Sequence, residues 1–464
     1  MSDLHDDLEQ ALEQAAGLEA DLPPAFSEEA LARQYTAEFA DSQKWVEVWG
    51  AWMIWTGTHW ARDTTRLAEN GARLIATRAA GEFQNQDPRA LNTARRIASA
   101  KTVQAIERLA KSSREFASRP EDWDADLWVF NTPAGTIDLR TGDMRPHAPG
   151  DLLTKVAAVG LGGAAPRWLA FLSEIFDGDQ ETIDYVQRIF GYALSGSCEE
   201  HALFFCYGTG GNGKGVLLNT VQKIFASYSA TAAVETFTSG RYERHPTELA
   251  MLKGCRLVIS QETEEGQRWA EARIKAVTGG DEITARFMRQ DFFQFTPQFT
   301  LVIAGNHKPA LRNIDEAIRR RMNLIPFNKT IPAHRRDPTL PYLLKEEWPG
   351  ILSWMVTGCL DWQRKGLTPS RNARSATAEY LDEEDALGRY LLERCETSKL
   401  VEDRPTPTQT LFEDWKDWCE AAGEYAGSLK RFSQRLVERG FEKRLHPVSR
   451  QSCFSGLRLR DTPR

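Results

Sequence analysis

Lys214 closes a glycine-dense run, Gly208-Thr209-Gly210-Gly211-Asn212-Gly213-Lys214-Gly215, a combination suited to holding a polyphosphate. Glycines let the backbone curl so that successive N–H groups aim at one anion. A helix from Val216 would add its positive end, and Lys214 would reach the outer phosphates. In most loops of this kind a Ser or Thr stands where Gly215 stands and ligates Mg²⁺ through its hydroxyl; Gly215 has none, so direct ligation from this position is excluded. A glycine-rich turn can also be purely structural. The apolar run Phe204-Phe205-Cys206-Tyr207 ahead of it, of buried-strand type, favours the nucleotide reading.

Two further strand-like runs end in groups that could act on a bound nucleotide. Leu257-Val258-Ile259-Ser260 leads into Gln261 and Glu262. A carboxylate there can orient the attacking water and hold Mg²⁺. Glu262 suits that work, with the metal reached in part through water, whereas Gln261 is neutral where a first carboxylate is common. Phe299-Thr300-Leu301-Val302-Ile303-Ala304 ends at Gly305-Asn306, whose amide could hydrogen-bond the γ-phosphate or its water. Next come Arg319, Arg320 and Arg321, within Asp315 to Arg321 and ahead of the apolar segment Met322 to Phe327. Three adjacent arginines more commonly make a solvated or nucleic-acid-facing surface than a catalytic device.

These parts, in this order, resemble superfamily 3 helicases, specifically the helicase halves of phage, plasmid and poxvirus primase-helicases. The matching residues are Gly211 to Lys214, Ser260 to Gly266, Lys275 with Thr278-Gly279-Gly280-Asp281, Ala304 to Pro309, and Asp315 to Phe327. The tryptophan-rich segment Trp45 to Trp60 and the stretch Asn131 to Gly142 resemble the domain that precedes the motor in that family. The likeness runs over residues 36 to 464 and is strongest from 200 to 330; it departs at Gly215 and Gln261, both on metal binding. It implies an α/β fold: an AAA+-like phosphate-loop ATPase core, a mixed α/β N-terminal domain and a C-terminal winged-helix domain. It also implies ATP and Mg²⁺ as cofactors, and a homo-oligomeric, hexameric ring acting on single-stranded or forked DNA. In such a ring Arg320 or Arg321 would complete the neighbouring subunit's site, a contribution worth roughly 10³ to 10⁵ in rate. Ile283 to Met288 and Phe292 to Phe295 flank the short polar turn Arg289-Gln290-Asp291, a hairpin signal. By resemblance this hairpin tracks single-stranded DNA in the ring channel, with Arg289 at its tip and Arg286 and Lys275 behind.

The elements that must position these groups fall into four stretches. Residues 1–35 read as an acidic helical arm, with Arg33 the one basic residue among nine carboxylates. Residues 36–165 form the family-specific N-terminal domain, in which the tryptophans are read chiefly as core rather than base-stacking groups. Residues 166–375 form the motor, alternating strands and helices as a parallel sheet requires. Residues 380–464 form a basic, winged-helix-like DNA-binding domain, joined through a linker read at Ser370 to Thr377. Within it Leu429, Phe432, Leu436 and Val437 share one helical face, leaving Lys430, Arg431, Gln434 and Arg435 to face outward and meet phosphates.

The net charge of −7 over 464 residues would discourage a nucleic-acid partner, but the charge is unevenly placed, acidic at the start and basic beyond residue 429. The seven cysteines contain no Cys-x-x-Cys pair, which argues against zinc and fits a reducing cytoplasm of a bacterial or phage-infected cell. No apolar run has membrane-spanning length, so neither membrane anchor nor signal peptide is expected. The combined expectation is an ATP-dependent, ring-forming DNA helicase, replicative and encoded by a mobile element. Two other classes stay open: a nucleotide-switched DNA-binding initiator or defence ATPase, and a subunit working with a separate primase. Asp122, Asp124 and Asp126 offer spaced carboxylates for a metal, although a loop role is favoured because no His or Lys supports them.

Overall fold

The structure, a computed structural model, describes residues 22–83, 88–239, 247–261, 266–288, 291–311, 314–397, 406–445 and 450–460. Glu262 and Arg289, two of the sequence-derived site residues, lie outside the described residues. The backbone divides into two compact units, one of residues 1–137 with 144–156 and one of residues 138–143 with 157–464.

In the first unit Ser27 caps helix α1 (Glu28–Phe39) by accepting from Ala30 N at 3.1 Å. Leu31 and Tyr35 of α1 are buried with Trp52, Ile75, Ile106 and Phe116. The boundary expected at residue 35 is therefore corrected: it cuts a helix whose apolar face belongs to the core. An antiparallel sheet of β1 (Gln43–Val46), β2 (Ala51–Trp55) and β3 (Trp60–Arg62) precedes α2 (Leu67–Gly81), α3 (Pro88–Ile97) and α4 (Ala100–Ala110). The sheet β4 (Val129–Thr132), β5 (Gly135–Asp138) and β6 (Met144–Arg145) follows. Trp52 and Trp60 are buried, the core use expected of the tryptophans. Asp122 accepts from Arg119 N at 2.7 Å and Asp126 from Trp128 N at 2.9 Å, so these two carboxylates shape local turns, whereas Asp124 accepts from Thr154 N at 2.7 Å and ties two distant segments together.

In the second unit α5 (Pro166–Ile175) and α6 (Gln180–Ser195) lead to a five-stranded, all-parallel sheet. Its strands in chain order are β7 (Leu203–Tyr207), β8 (Ser229–Thr231), β9 (Leu257–Gln261), β12 (Thr300–Gly305) and β13 (Met322–Pro326). In space they run β13-β7-β12-β9-β8, which sets β12 between the strand leading into the glycine run and the strand leading to Glu262. Every residue of β12 is buried, as a central parallel strand covered on both faces requires. Helix α7 (Lys214–Phe225) follows β7, α8 (Glu271–Gly279) follows β9, and β10 (Ile283–Ala285) pairs antiparallel with β11 (Phe293–Phe295) as the expected hairpin. The short helix α9 (Glu316–Arg319) precedes β13, and α10 (Leu340–Glu346) and α11 (Trp348–Lys365) follow it.

Helices α6 and α11 cross through facing glycines. A Cβ on Gly191 would lie 2.7 Å from Met355 O and one on Gly358 would lie 2.7 Å from Gln187 C, so any side chain would force the backbones apart.

The linker expected at Ser370 to Thr377 is instead the start of α12 (Arg371–Glu384). Ser370 caps it by accepting from Ala373 N at 3.2 Å, and Thr377 Oγ1 accepts from Leu324 N of β13 at 2.9 Å. Polar composition suggested a linker, but Ser at an N-cap is the common helix start. The chain continues through α13 (Ala386–Arg394), β14 (Cys395–Thr397), α14 (Thr408–Ala422), α15 (Leu429–Glu438), β15 (Lys443–Leu445), β16 (Ser452–Phe454) and β17 (Leu457–Leu459). β15 pairs with β16, and β17 returns to β14, both antiparallel. Leu387, Tyr390, Leu411, Trp415, Phe432 and Leu436 fill the core beneath them.

Candidate functional site

The glycine run connects β7 to α7 at the carboxyl edge of the parallel sheet, the edge where open α/β sheets bind ligands. Gly213 closes the run at φ +85°, in the left-handed region, and a Cβ there would sit 2.5 Å from Ile175 Cγ2 and 3.2 Å from Phe171 Cε2. The position is thus reserved for glycine twice over. Asn212 is buried; its Nδ2 donates to Phe327 O at 3.3 Å, and its Oδ1 accepts from Lys214 N at 3.4 Å. Gly208, Thr209, Gly210, Gly211, Gly215 and Val216 complete the turn and the first residues of α7, with Gly215 exposed.

Lys214 is 8 % exposed, and its Nζ donates to Gly208 O and, at 3.2 Å, to Asn306 Oδ1. Two groups read from separate sequence segments therefore meet, because β12 lies beside β7 and ends beside the loop. Burial holds the Lys214 ammonium below its ordinary pKa range. The ammonium is still satisfied by an amide oxygen and a carbonyl, neutral acceptors that an anion would outcompete.

Beyond Gly215, Asn219 stands one turn along α7, and its Oδ1 accepts from Gln261 Nε2 at 3.2 Å. Where a hydroxyl and a carboxylate would favour direct Mg²⁺ ligation, the chain presents a glycine and two neutral amides. These residues do not fit direct coordination. Among the described residues no group of three or more His, Cys, Asp or Glu side chains is placed to hold a metal.

The three successive arginines have three different environments. Arg319 bonds Asp385 Oδ2 at 3.2 Å; Arg320 is exposed; Arg321 is buried, with Nε donating to Thr278 Oγ1 at 3.2 Å and Nη1 to Ala317 O at 3.0 Å. Burial, then the neighbouring Arg320 charge, hold Arg321 below the ordinary guanidinium range. Lys275 of α8 pairs with Asp315. Burial alone would raise the Asp315 pKa, but the Lys275 ammonium and the N–H groups of Ile318 and Ala317 outweigh it and hold the carboxyl low. Lys275 is thereby tied to the arginine segment.

On the hairpin the Arg286 guanidinium lies 4.9 Å from the centre of the Phe292 ring, and Phe292 and Met288 are exposed. In α15 Phe432 and Leu436 are buried, whereas Val437 is 51 % exposed and leaves the expected apolar face. Lys430 and Arg431 are exposed. Arg435 corrects its outward assignment: it is half-buried, and burial, then the charge of Arg439, hold its guanidinium below the ordinary range. Asp385, also near Arg435, caps α13 through Gly388 N at 3.0 Å and bonds both Arg439 and Arg319. Burial would raise its pKa, but Arg439, the Gly388 N–H and Arg319 together keep it low.

One contributor was missed from the sequence. After β13 the chain turns back over the loop: Phe327 N donates to Tyr207 O at 2.7 Å, Ile331 N donates to Gly211 O at 2.9 Å, and Thr330 Oγ1 lies 3.3 Å from Thr209 Oγ1. Arg336 follows in this strap. The dipeptide Arg335-Arg336 was the one available signal, and nothing in its spacing pointed to the loop.

Residues 29–177 match a family described as "D5 N terminal like", and residues 206–321 match a "Family of unknown function (DUF5906)". Among similar proteins, "Putative helicase L207/L206" of Acanthamoeba polyphaga mimivirus is 22% identical over 327 residues, covering 64% of this chain and 33% of that protein. "Putative helicase 022R" of Frog virus 3 (isolate Goorha) is 22% identical over 301 residues, 60% of this chain and 30% of that protein. "Putative primase C962R" of African swine fever virus (strain Badajoz 1971 Vero-adapted) is 26% identical over 158 residues, 33% of this chain and 16% of that protein. The alignments span about a third or less of the length of these relatives. Among solved structures, the apo NrS-1 C-terminal region aligns at a TM-score of 0.41 with 12% identity, covering 64% of this chain and 76% of that one. Among the described residues no helix is long and apolar enough to cross a membrane.

Proposed function

We propose that this chain, a member of the phage and viral superfamily 3 primase-helicase family, is an ATP-driven DNA helicase motor that works as a ring on single-stranded or forked DNA. The observation that carries the proposal is the meeting of Lys214 with Asn306 at the carboxyl edge of the parallel sheet. The strand order β13-β7-β12-β9-β8 sets the strand leading to Glu262 on the other side of β12.

ATP phosphates would lie on the N–H groups of residues 208–215 and on the opening turn of α7, and would draw Lys214 away from Gly208 O. Asn306, whose Oδ1 already accepts from Lys214, would donate through its amide to the γ-phosphate or its water. Glu262 would accept the proton of that water. Mg²⁺ would supply charge neutralisation while held by phosphates and water, and this chain's direct contribution to its coordination would be small. Arg320, exposed at the end of α9, is the arginine available to a neighbouring subunit's site. Arg321 is occupied internally.

DNA would be met by the β10–β11 hairpin and by the outer face of α15. A groove there is lined by Lys430, Gln434, Val437, Lys443 and Gln451. The succession of helix, helix and paired strands from α14 to β17 supports a winged-helix reading. Unwinding of a forked duplex, measured beside ATP hydrolysis on the same preparation, tests the proposal. Hydrolysis without strand separation would leave a nucleotide-switched DNA-binding protein instead.

A further inference from the structure

We infer that Arg336 is an outer-phosphate-binding cation that acts in the same subunit as Lys214, an assignment that rests on the phosphate-loop reading above. Gly211 sits at the crown of the loop with φ +77°, and a Cβ there would fall 2.6 Å from Arg336 Cζ. The guanidinium thus occupies the space that a side chain at 211 would fill. Gly211 serves two ends at once: it turns the backbone, and it admits a cation against the loop.

The strap fixes that placement. Arg336 Nε donates to Ile331 O at 2.8 Å, and Ile331 N in turn donates to Gly211 O at 2.9 Å, so the side chain and the loop are joined through one residue. Arg335 bonds Glu174 at 2.9 Å and Lys329 pairs with Asp177, which anchors the strap to the end of α5 and the turn beyond it. Arg336 itself stays exposed and pairs with no carboxylate among the described residues. With Nε held by Ile331 O and Nη2 lying against Gly211, the guanidinium still carries Nη donors that no protein acceptor among the described residues takes up, and such donors match phosphate oxygens in pairs.

The position also separates its role from that of Arg320. Arg336 is tied to its own chain's Gly211, whereas Arg320 is exposed at the end of α9.

The test uses the full chain. ATP affinity is measured by titration calorimetry for the parent, Arg336→Ala and Lys214→Ala, with the thermal midpoint of each. A charge-assisted pair of hydrogen bonds predicts that Arg336→Ala weakens ATP by about tenfold or more with little change in midpoint. ATPase activity is then followed in mixed assemblies. At an ATP concentration low enough to leave Arg336→Ala nearly inactive by itself, its mixture with Lys214→Ala is expected to show no more activity than the two variants apart, because both lesions strike the subunit's own site, while Arg320→Ala mixed with Lys214→Ala recovers activity. ATP affinity within about twofold of the parent in Arg336→Ala would overturn the assignment. Recovery in the first mixture would also overturn it, by placing Arg336 across the interface. ATP binding untouched by Lys214→Ala would remove the phosphate loop itself, a distinguishable failure.

Discussion

Replacing Arg320 and Arg321 one at a time should produce opposite phenotypes, although the two residues are adjacent. Arg321 is 7 % exposed and makes two hydrogen bonds, to Thr278 Oγ1 and Ala317 O. Bonds from a charged donor are worth about 1.5–3 kcal/mol each, and Thr278 keeps its own bond to Ile274 O, so Arg321→Ala should cost on the order of 3–6 kcal/mol with no further penalty for a stranded hydroxyl. For a domain of this size that lowers the melting midpoint by roughly 5–10 °C. Arg320 is exposed, and its removal should change stability by no more than about 0.5 kcal/mol. Its loss should nevertheless reduce DNA-stimulated ATP hydrolysis by about 10³-fold or more if it completes a neighbour's site. Differential scanning fluorimetry and a coupled ATPase assay on the two single variants decide the matter. Parental hydrolysis by Arg320→Ala would refute the trans assignment, and an unshifted midpoint in Arg321→Ala would refute the structural one.

Lys214→Ala should abolish ATP binding in a folded protein, whereas Glu262→Gln should bind ATP and fail to hydrolyse it because an amide cannot accept the water's proton; titration beside turnover separates the two. A Cβ at Gly215 meets nothing within 4 Å, so Gly215→Ser should fold normally and shift the Mg²⁺ titration of ATPase activity to lower concentration; an unchanged titration would show that the hydroxyl adds no ligand. Replacing Lys430, Arg431 and Lys443 together by Gln should lower the slope of log affinity against log salt by roughly 2 to 3 for duplex DNA, read by fluorescence anisotropy. Asp385 has a folded pKa below its unfolded value, so it contributes stability present above about pH 4 and lost as pH falls through the folded value; Asp385→Asn should flatten the acid limb of a melting-temperature profile.

Local order was legible wherever one short segment carried both the element and its terminus. The run from Phe299 to Ala304 had to be a buried strand, and its end had to carry Asn306 to the sheet edge. The hairpin was legible from alternation across a polar turn. Direction within a helix surface was not. Arg435 shares its helix with Lys430 and Arg431 yet is half-buried, against the repulsion of Arg439 and in the field of Asp385, a buried negative charge that no local pattern announces. Arg321 turns inward for a similar reason, the acceptors on Thr278 and Ala317 being set by the docking of α8 against α9. Ser370 read as linker chemistry because the same residue types cap helices and fill loops. Arg336 was invisible because its partner is a glycine whose significance lies in the side chain it lacks.

The crossing of α6 and α11 at Gly191 and Gly358 has a mechanical consequence. Helices that slide past one another do so by lifting side-chain ridges out of grooves, and backbones in direct contact offer neither ridge nor groove for a stepwise slip. The pair should therefore behave as a single stiff strut. If the proposed nucleotide turnover moves the motor, the connecting loops at the strut's ends would absorb the displacement, and even alanine at either glycine would act as a wedge between the two helices.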